Sequence, residues 1–150
     1  MNFPDFDELA EDAIQFHAEA IDFDLPQSEQ VIDWIKATIS AEACQLTSLN
    51  FIFCNDTYLH KINVAYLDHD TLTDVITFPY TSEGEPIEGD IYISIDRIKE
   101  NATKFDVTFL KELKRVMIHG VLHLCGYGDK SEAEQKIMRA KENFYLAKNQ

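Results

Sequence analysis

The sequence predicts an α+β fold, a small mixed sheet of about four strands covered by helices, and three observations predict it. Four short stretches, within 13–26, 47–55, 74–78 and 90–95, alternate with period 2 or concentrate β-formers. Helical periodicity fills the intervals between the first three and the whole region after the fourth. The link "PYTSEGEPIEG" between the last two strand segments is too short for a crossover helix, so they pair antiparallel. With 150 residues, 45% of them hydrophobic, the chain makes one domain able to bury a core without disulfides.

The elements follow in order. Residues 1–12, "MNFPDFDELAED", form an acidic leader with neither the basic nor the apolar region of a signal peptide, and the domain occupies 13–150. Ile14, Phe16 and Ala18 alternate with Gln15, His17 and Glu19, the pattern of a half-buried strand. Ser28 is placed to cap "EQVIDWIKATISAEA", in which Val31, Ile35 and Ile39 recur every four residues. "TSLNFIFCN" is the second strand, and Asn55 or Asp56 caps the helix "DTYLHKINVAYL". After the polar loop "DHDTLT" come the strand "DVITF", stopped by Pro79, turn residues, and the strand "DIYISI". Three helices complete the chain, at about 94–104, 108–125 and 131–148, the last capped by Ser131.

The chemistry concentrates in "VMIHGVLHLCGYGDK". From Val116 to Leu124 the segment is apolar nearly all round, so its helix is buried. His119 and His123 lie one turn apart, roughly 6 Å along the axis and on nearly the same face. A lone buried histidine is usually a satisfied core residue. A pair in an apolar setting must find partners for four nitrogens, and a divalent metal satisfies one on each ring. Gly126 suits a left-handed helix end, and the chain then turns back to bring Asp129 in as a third ligand. Three protein ligands leave a coordination position for water, the catalytic pattern of zinc. The His-x3-His-x2-Gly-x2-Asp spacing matches metzincin proteases with two changes: Gly120 replaces the general-base glutamate, and Asp129 replaces the third histidine.

Other residues are weighed against this centre. Cys125 lies roughly 200° round the helix from His123 and reads as a small buried thiol. His69 is a loop residue that offers a fourth ligand or a proton shuttle but more commonly is simply solvated, while His17 and His60 fall on polar faces. Asp74 and Asp90 precede apolar strand runs, where they cap turns or orient a ligand histidine from behind. Lys111, Arg115, His119 and His123 drift only ~40° per step along one helix side, which places Arg115 where it can bind a phosphate. The three cysteines, odd in number and far apart, read as reduced thiols of a cytosolic protein. No apolar run approaches a membrane span. The net charge of −14 repels nucleic acid and anionic membrane at long range, so any RNA-directed function must rest on a local basic or metal-bearing patch.

"HGVLHLCGY", "TDVITFP" and "GDIYIS", in this order and spacing across roughly residues 13–148, resemble the YbeY family of small bacterial metal-dependent endoribonucleases. The resemblance implies a zincin-like α+β fold with one zinc per chain, held by His119, His123 and the residue at Asp129. It also implies a cytoplasmic location, cleavage of single-stranded RNA, and a role in small-subunit ribosomal RNA maturation and ribosome quality control. The implied partners are ribosomal RNA and the small subunit or its proteins. Two positions depart from the family pattern: Asp129 stands where a histidine is usual, and Leu67 where an arginine follows the tyrosine before "TDV". Arg115 or Lys61 would then supply the missing cation. Two other readings belong to different classes: a metzincin-like metalloprotease, and a non-catalytic ribosome-assembly module with structural zinc.

Overall fold

A computed structural model describes residues 13–149. The leader expected at 1–12 lies outside the described residues. The elements run β1 (Ile14–Ala18), α1 (Ser28–Ala41), β2 (Leu46–Cys54), α2 (Asp56–Leu67), β3 (Val75–Pro79), β4 (Ile87–Ser94), α3 (Ile95–Phe105), α4 (Phe109–Leu124) and α5 (Glu132–Ala147). The four strands form one mixed sheet in the order β1-β2-β4-β3. β1 and β2, and β2 and β4, pair parallel, whereas β3 and β4 pair antiparallel with Thr77 opposite Ile91. The expected α+β class and the antiparallel last pair are thus both present. The parallel pairings follow from the helices inserted between β1 and β2 and between β2 and the final pair.

Alternation divides the sheet into two faces. Leu49, Phe51 and Phe53 of β2 join Ile87, Ile91 and Ile93 of β4 in the main core, under α1, α3, α4 and α5. The opposite face carries Ile76 with Phe78 and Tyr92, and packs on Leu59 of α2. Tyr58, Phe78 and Tyr92 extend that second cluster with ring centroids 5.7 and 6.5 Å apart, within the range of favourable aromatic pairs. Trp34 Nε1 donates to the Tyr145 carbonyl at 2.8 Å and so ties α1 to α5.

Two of the three expected helix caps are in place. Asn55 accepts from the Tyr58 N–H, and Ser131 with Glu134 forms a reciprocal capping box. Ser28 is a correction. Gln27, in the left-handed region at φ 54, occupies the N-cap position and caps nothing with its side chain. The turn at Pro26-Gln27 already directs the Val31 N–H to the Gln27 carbonyl at 3.1 Å, which draws Ser28 inside the helix.

α4 lies against β4 at Gly120. A Cβ there would stand 2.9 Å from Cδ1 and 3.0 Å from Cγ2 of the fully buried Ile91. The glycine between the two histidines is therefore a packing requirement: it sets the depth at which α4, and hence its ligand face, sits over the sheet. Gly120→Val should lower stability by about 1–3 kcal/mol through overpacking, read as a reduced denaturant midpoint at unchanged slope.

At the C-terminal ends of β2 and β4, Asp56 accepts from Arg97 Nε at 3.0 Å and from Ser94 Oγ at 2.7 Å, joining the starts of α2 and α3. Burial alone would raise its carboxyl, but the bonds from Arg97 and Ser94 outweigh this and hold it below the ordinary range. The unfolded chain therefore binds this proton more readily than the folded one. Its contribution is complete above the usual aspartate value of about 4 and is lost as pH falls through the depressed one. Asp56→Asn should accordingly be less stable than the parent at pH 7, with the difference in melting temperature narrowing progressively below about pH 4.

Candidate metal centre

α4 ends in a way its sequence dictates. Cys125 is the C-cap, Gly126 follows at φ 110, and the Tyr127 and Gly126 N–H groups donate back to the Leu122 and His123 carbonyls. This is the Schellman arrangement, which requires a left-handed residue at Gly126. It reverses the chain sharply enough to return Asp129 over the last turn of the helix.

The structure brings His119, His123 and Asp129 together. The two Nε2 atoms are 2.9 Å apart, and Asp129 Oδ2 is 3.3 Å from each. Among the described residues these three form the group of histidine, cysteine and acidic side chains able to hold a metal ion. Ligand atoms on a tetrahedron around an ion at about 2.0–2.2 Å stand about 3.3 Å from one another, so the donor set has the right size for zinc. The side chains of His119, His123 and Asp129 are 22, 26 and 41% exposed, recessed yet open on one side.

Hydrogen bonds fix which nitrogens face the centre. His123 Nδ1 lies 2.8 Å from the Tyr127 carbonyl oxygen, which only accepts, so Nδ1 carries the proton. His119 Nδ1 lies 2.7 Å from Glu142 Oε2 and donates to it. Burial would raise the Glu142 carboxyl, but the bonds from His119 and Arg115 prevail and hold it below its usual value, an ionised acceptor. With the Nδ1 protons held outward, each ring turns its Nε2 toward the other and toward an acidic oxygen. Three acceptors directed at one point repel unless a cation lies among them. For His119, burial favours the neutral ring, yet the hydrogen bond and charge of Glu142 outweigh it and draw its pKa upward.

Several expected roles fall elsewhere. Asp74 and Asp90 do not hold the ligand rings; Glu142 and the Tyr127 carbonyl do. Asp90 accepts from Asn50 and from Tyr80 Oη, across the sheet from the metal helix. Asp74 points toward Asn101 at 3.5 Å and lines the cavity beside His119. His69 is not in the ligand group, and His60 and His17 bond to Asp70 and Asn50. Arg115 reaches the site through others: Nη1 donates to Glu142 Oε1 and Nη2 to Asn143 Oδ1, both at 3.0 Å. Cys125 is a half-buried thiol whose pKa burial pushes up, and Leu67 is exposed at the end of α2.

Glu142 escaped the sequence reading because it is a carboxylate on an apparently solvated helix, 23 residues beyond its histidine. A usable signal was the i, i+4 register that places Met138, Glu142 and Tyr145 on the buried side of α5. Glu142→Gln keeps the shape but removes the charge that steadies His119, and should weaken Zn²⁺ affinity by about 10–100-fold, measured by chelator competition.

A sequence model of the family described as endoribonuclease YbeY matches residues 13–150. A relative from Amoebophilus asiaticus, named endoribonuclease YbeY, is 54% identical over 136 residues, 91% of this chain and 92% of that protein. Another of the same name, from Flavobacterium psychrophilum, is 55% identical over 130 residues, 87% of this chain and 91% of that one. The solution structure of a Thermotoga maritima protein superposes with a TM-score of 0.65 at 28% identity, covering 91% of this chain and 88% of the other. The likeness thus spans nearly the whole sequence. The chain belongs to the YbeY endoribonuclease family.

Proposed function

We propose that the chain is a zinc-dependent, single-strand-specific endoribonuclease of the cytoplasm, acting in small-subunit ribosomal RNA maturation and ribosome quality control. Its partners in this reading are ribosomal RNA and the small subunit or its proteins. The observation that carries the catalytic part is the convergence of three acceptors, His119 Nε2, His123 Nε2 and Asp129 Oδ2, within 3.3 Å of one another. His119, His123 and Asp129 would hold Zn²⁺. When bound, the ion supplies Lewis-acid polarisation of a phosphoryl oxygen and a water of lowered pKa.

The remaining work falls to the chain itself. A cavity of about 1010 Å³ opens beside His119 and Asp129, between the start of β3 and the helices α3, α4 and α5. Arg115, fixed by Glu142 and Asn143, brings an oriented cation to its wall, and Lys136 and Arg139 continue that wall along α5. These groups bind phosphate oxygens and set the strand across the ligand face. Asp74 and Glu112 line the same cavity, and burial raises both carboxyls, so each keeps a proton to higher pH than an exposed acid would. They are the side chains suited to hold or return a proton during hydrolysis. The ligand rings are recessed, which favours a flexible single strand over a stiff duplex. No described helix is long and apolar enough to cross a membrane.

Gly120 separates this reading from the protease one. The position at which metzincins carry their general base is pressed against Ile91, with no room for a side chain. Purified protein should cleave a single-stranded RNA oligonucleotide and leave its duplex form intact. His123→Ala or chelation should reduce the rate at least about 100-fold, with Zn²⁺ restoring the chelated parent but not the variant. Cleavage that survives either treatment would belong to a contaminating nuclease.

A further inference from the structure

We propose that Glu42, at the end of α1, is a positioning residue for the metal site: it grips Tyr127, whose backbone carbonyl orients His123. The proposal rests on the reading of His119, His123 and Asp129 as metal ligands.

Glu42 follows the last turn of α1, where Ala43 takes φ 59 and the Ala43 and Cys44 N–H groups donate back to the Ser40 and Ile39 carbonyls. Alanine rarely adopts this left-handed conformation, so the turn holds the preceding residue in a definite place at some cost. The Glu42 side chain is 7% exposed, yet both its oxygens accept hydrogen bonds. Tyr127 Oη donates to Oε1 at 2.5 Å, Lys141 Nζ donates to Oε2 at 3.0 Å, and Tyr145 Oη donates to Oε2 as well. A carboxylate so withdrawn from water is tolerable only with such partners. One donor comes from the turn after α4 and two from α5, so a single carboxylate pins both to α1.

Tyr127 is the member of this cluster that touches the ligand set. Its ring is held by Glu42 and lies 5.5 Å below the Lys141 ammonium. Its N–H donates to the Leu122 carbonyl, and its own carbonyl accepts the Nδ1 proton of His123. That last bond decides which His123 nitrogen faces Asp129, two residues further along the same turn. Rotation of Tyr127 would therefore move a ligand ring and a ligand loop together. Tyr145 supplies an internal comparison: it donates to the same carboxylate but lies on α5, without a bond to either ligand histidine.

The test compares Glu42→Gln, Tyr127→Phe and Tyr145→Phe in the full chain. Each variant is assayed for Zn²⁺ affinity by chelator competition, for the visible spectrum of the Co²⁺ form, and for the melting temperature of the metal-free protein. Tyr127→Phe keeps the carbonyl and removes only the grip. The expected result is about a tenfold loss of Zn²⁺ affinity and shifted Co²⁺ bands in Glu42→Gln and Tyr127→Phe. Tyr145→Phe should keep parental affinity and spectrum while its metal-free melting temperature falls as far as that of Tyr127→Phe. Should Glu42→Gln fail to fold, the contrast between the two tyrosine variants decides alone. Parental affinity in Tyr127→Phe, or equal losses in both tyrosine variants, would overturn the positioning role. A parent chain that takes up no Zn²⁺ would instead overturn the metal site itself.

Discussion

The seating of α4 on β4 is the constraint from which the rest of the site follows. Gly120 lets the helix approach until its backbone rests on Ile91, and Val116, Met117, Ile118, Val121 and Leu122 around it are buried. Only the face bearing His119 and His123 emerges, part-exposed, toward the turn that carries Asp129. A helix held a side chain's width further out would lift both rings away from Asp129 and from Glu142. The depth of packing, and not any property of histidine, converts an i, i+4 pair into a convergent donor set.

Depth alone does not choose which nitrogen points inward. That choice belongs to the hydrogen bonds behind the rings. Glu142 takes the Nδ1 proton of His119, and the Tyr127 carbonyl takes that of His123. With both protons drawn outward, the two Nε2 lone pairs and an Asp129 oxygen are left facing one another, an arrangement that favours a cation. Glu142 also fixes Arg115, so one buried carboxylate orients a ligand and a cavity cation together. The fold thus spends two of its few buried acids, Glu42 and Glu142, on the ground around the site.

The acidity of the chain is compatible with a phosphate-bearing substrate on this view. A net charge of −14 works against broad electrostatic attraction. The cavity nevertheless carries Arg115, Lys136 and Arg139 on one wall, and the donor set at its end is shaped for a divalent ion. In the proposed function, attraction is confined to these few groups, and selectivity for a partner rests on contacts elsewhere.

The local parts of this structure were written in the sequence. Period-2 runs marked the strands, the short "PYTSEGEPIEG" link marked the β3–β4 pair, and Asn55 and Ser131 marked helix starts, each through interactions within a few residues. The spacing of His119 and His123 and the glycine at Gly126 were likewise enough to put two imidazoles on one face and a sharp reversal after them. Ser28 shows where even local reading slips, since the neighbouring turn shifted the helix start by one residue. What only the tertiary structure decided is the set of partners that make the pair a site: Glu142, Glu42, and the close approach of Ile91. Those contacts join residues 23, 85 and 29 positions apart, Glu142 with His119, Glu42 with Tyr127 and Ile91 with Gly120. Backbone geometry fixes what lies one turn away, but a side chain meets a distant partner only through the packing of whole elements, which no short stretch of sequence encodes.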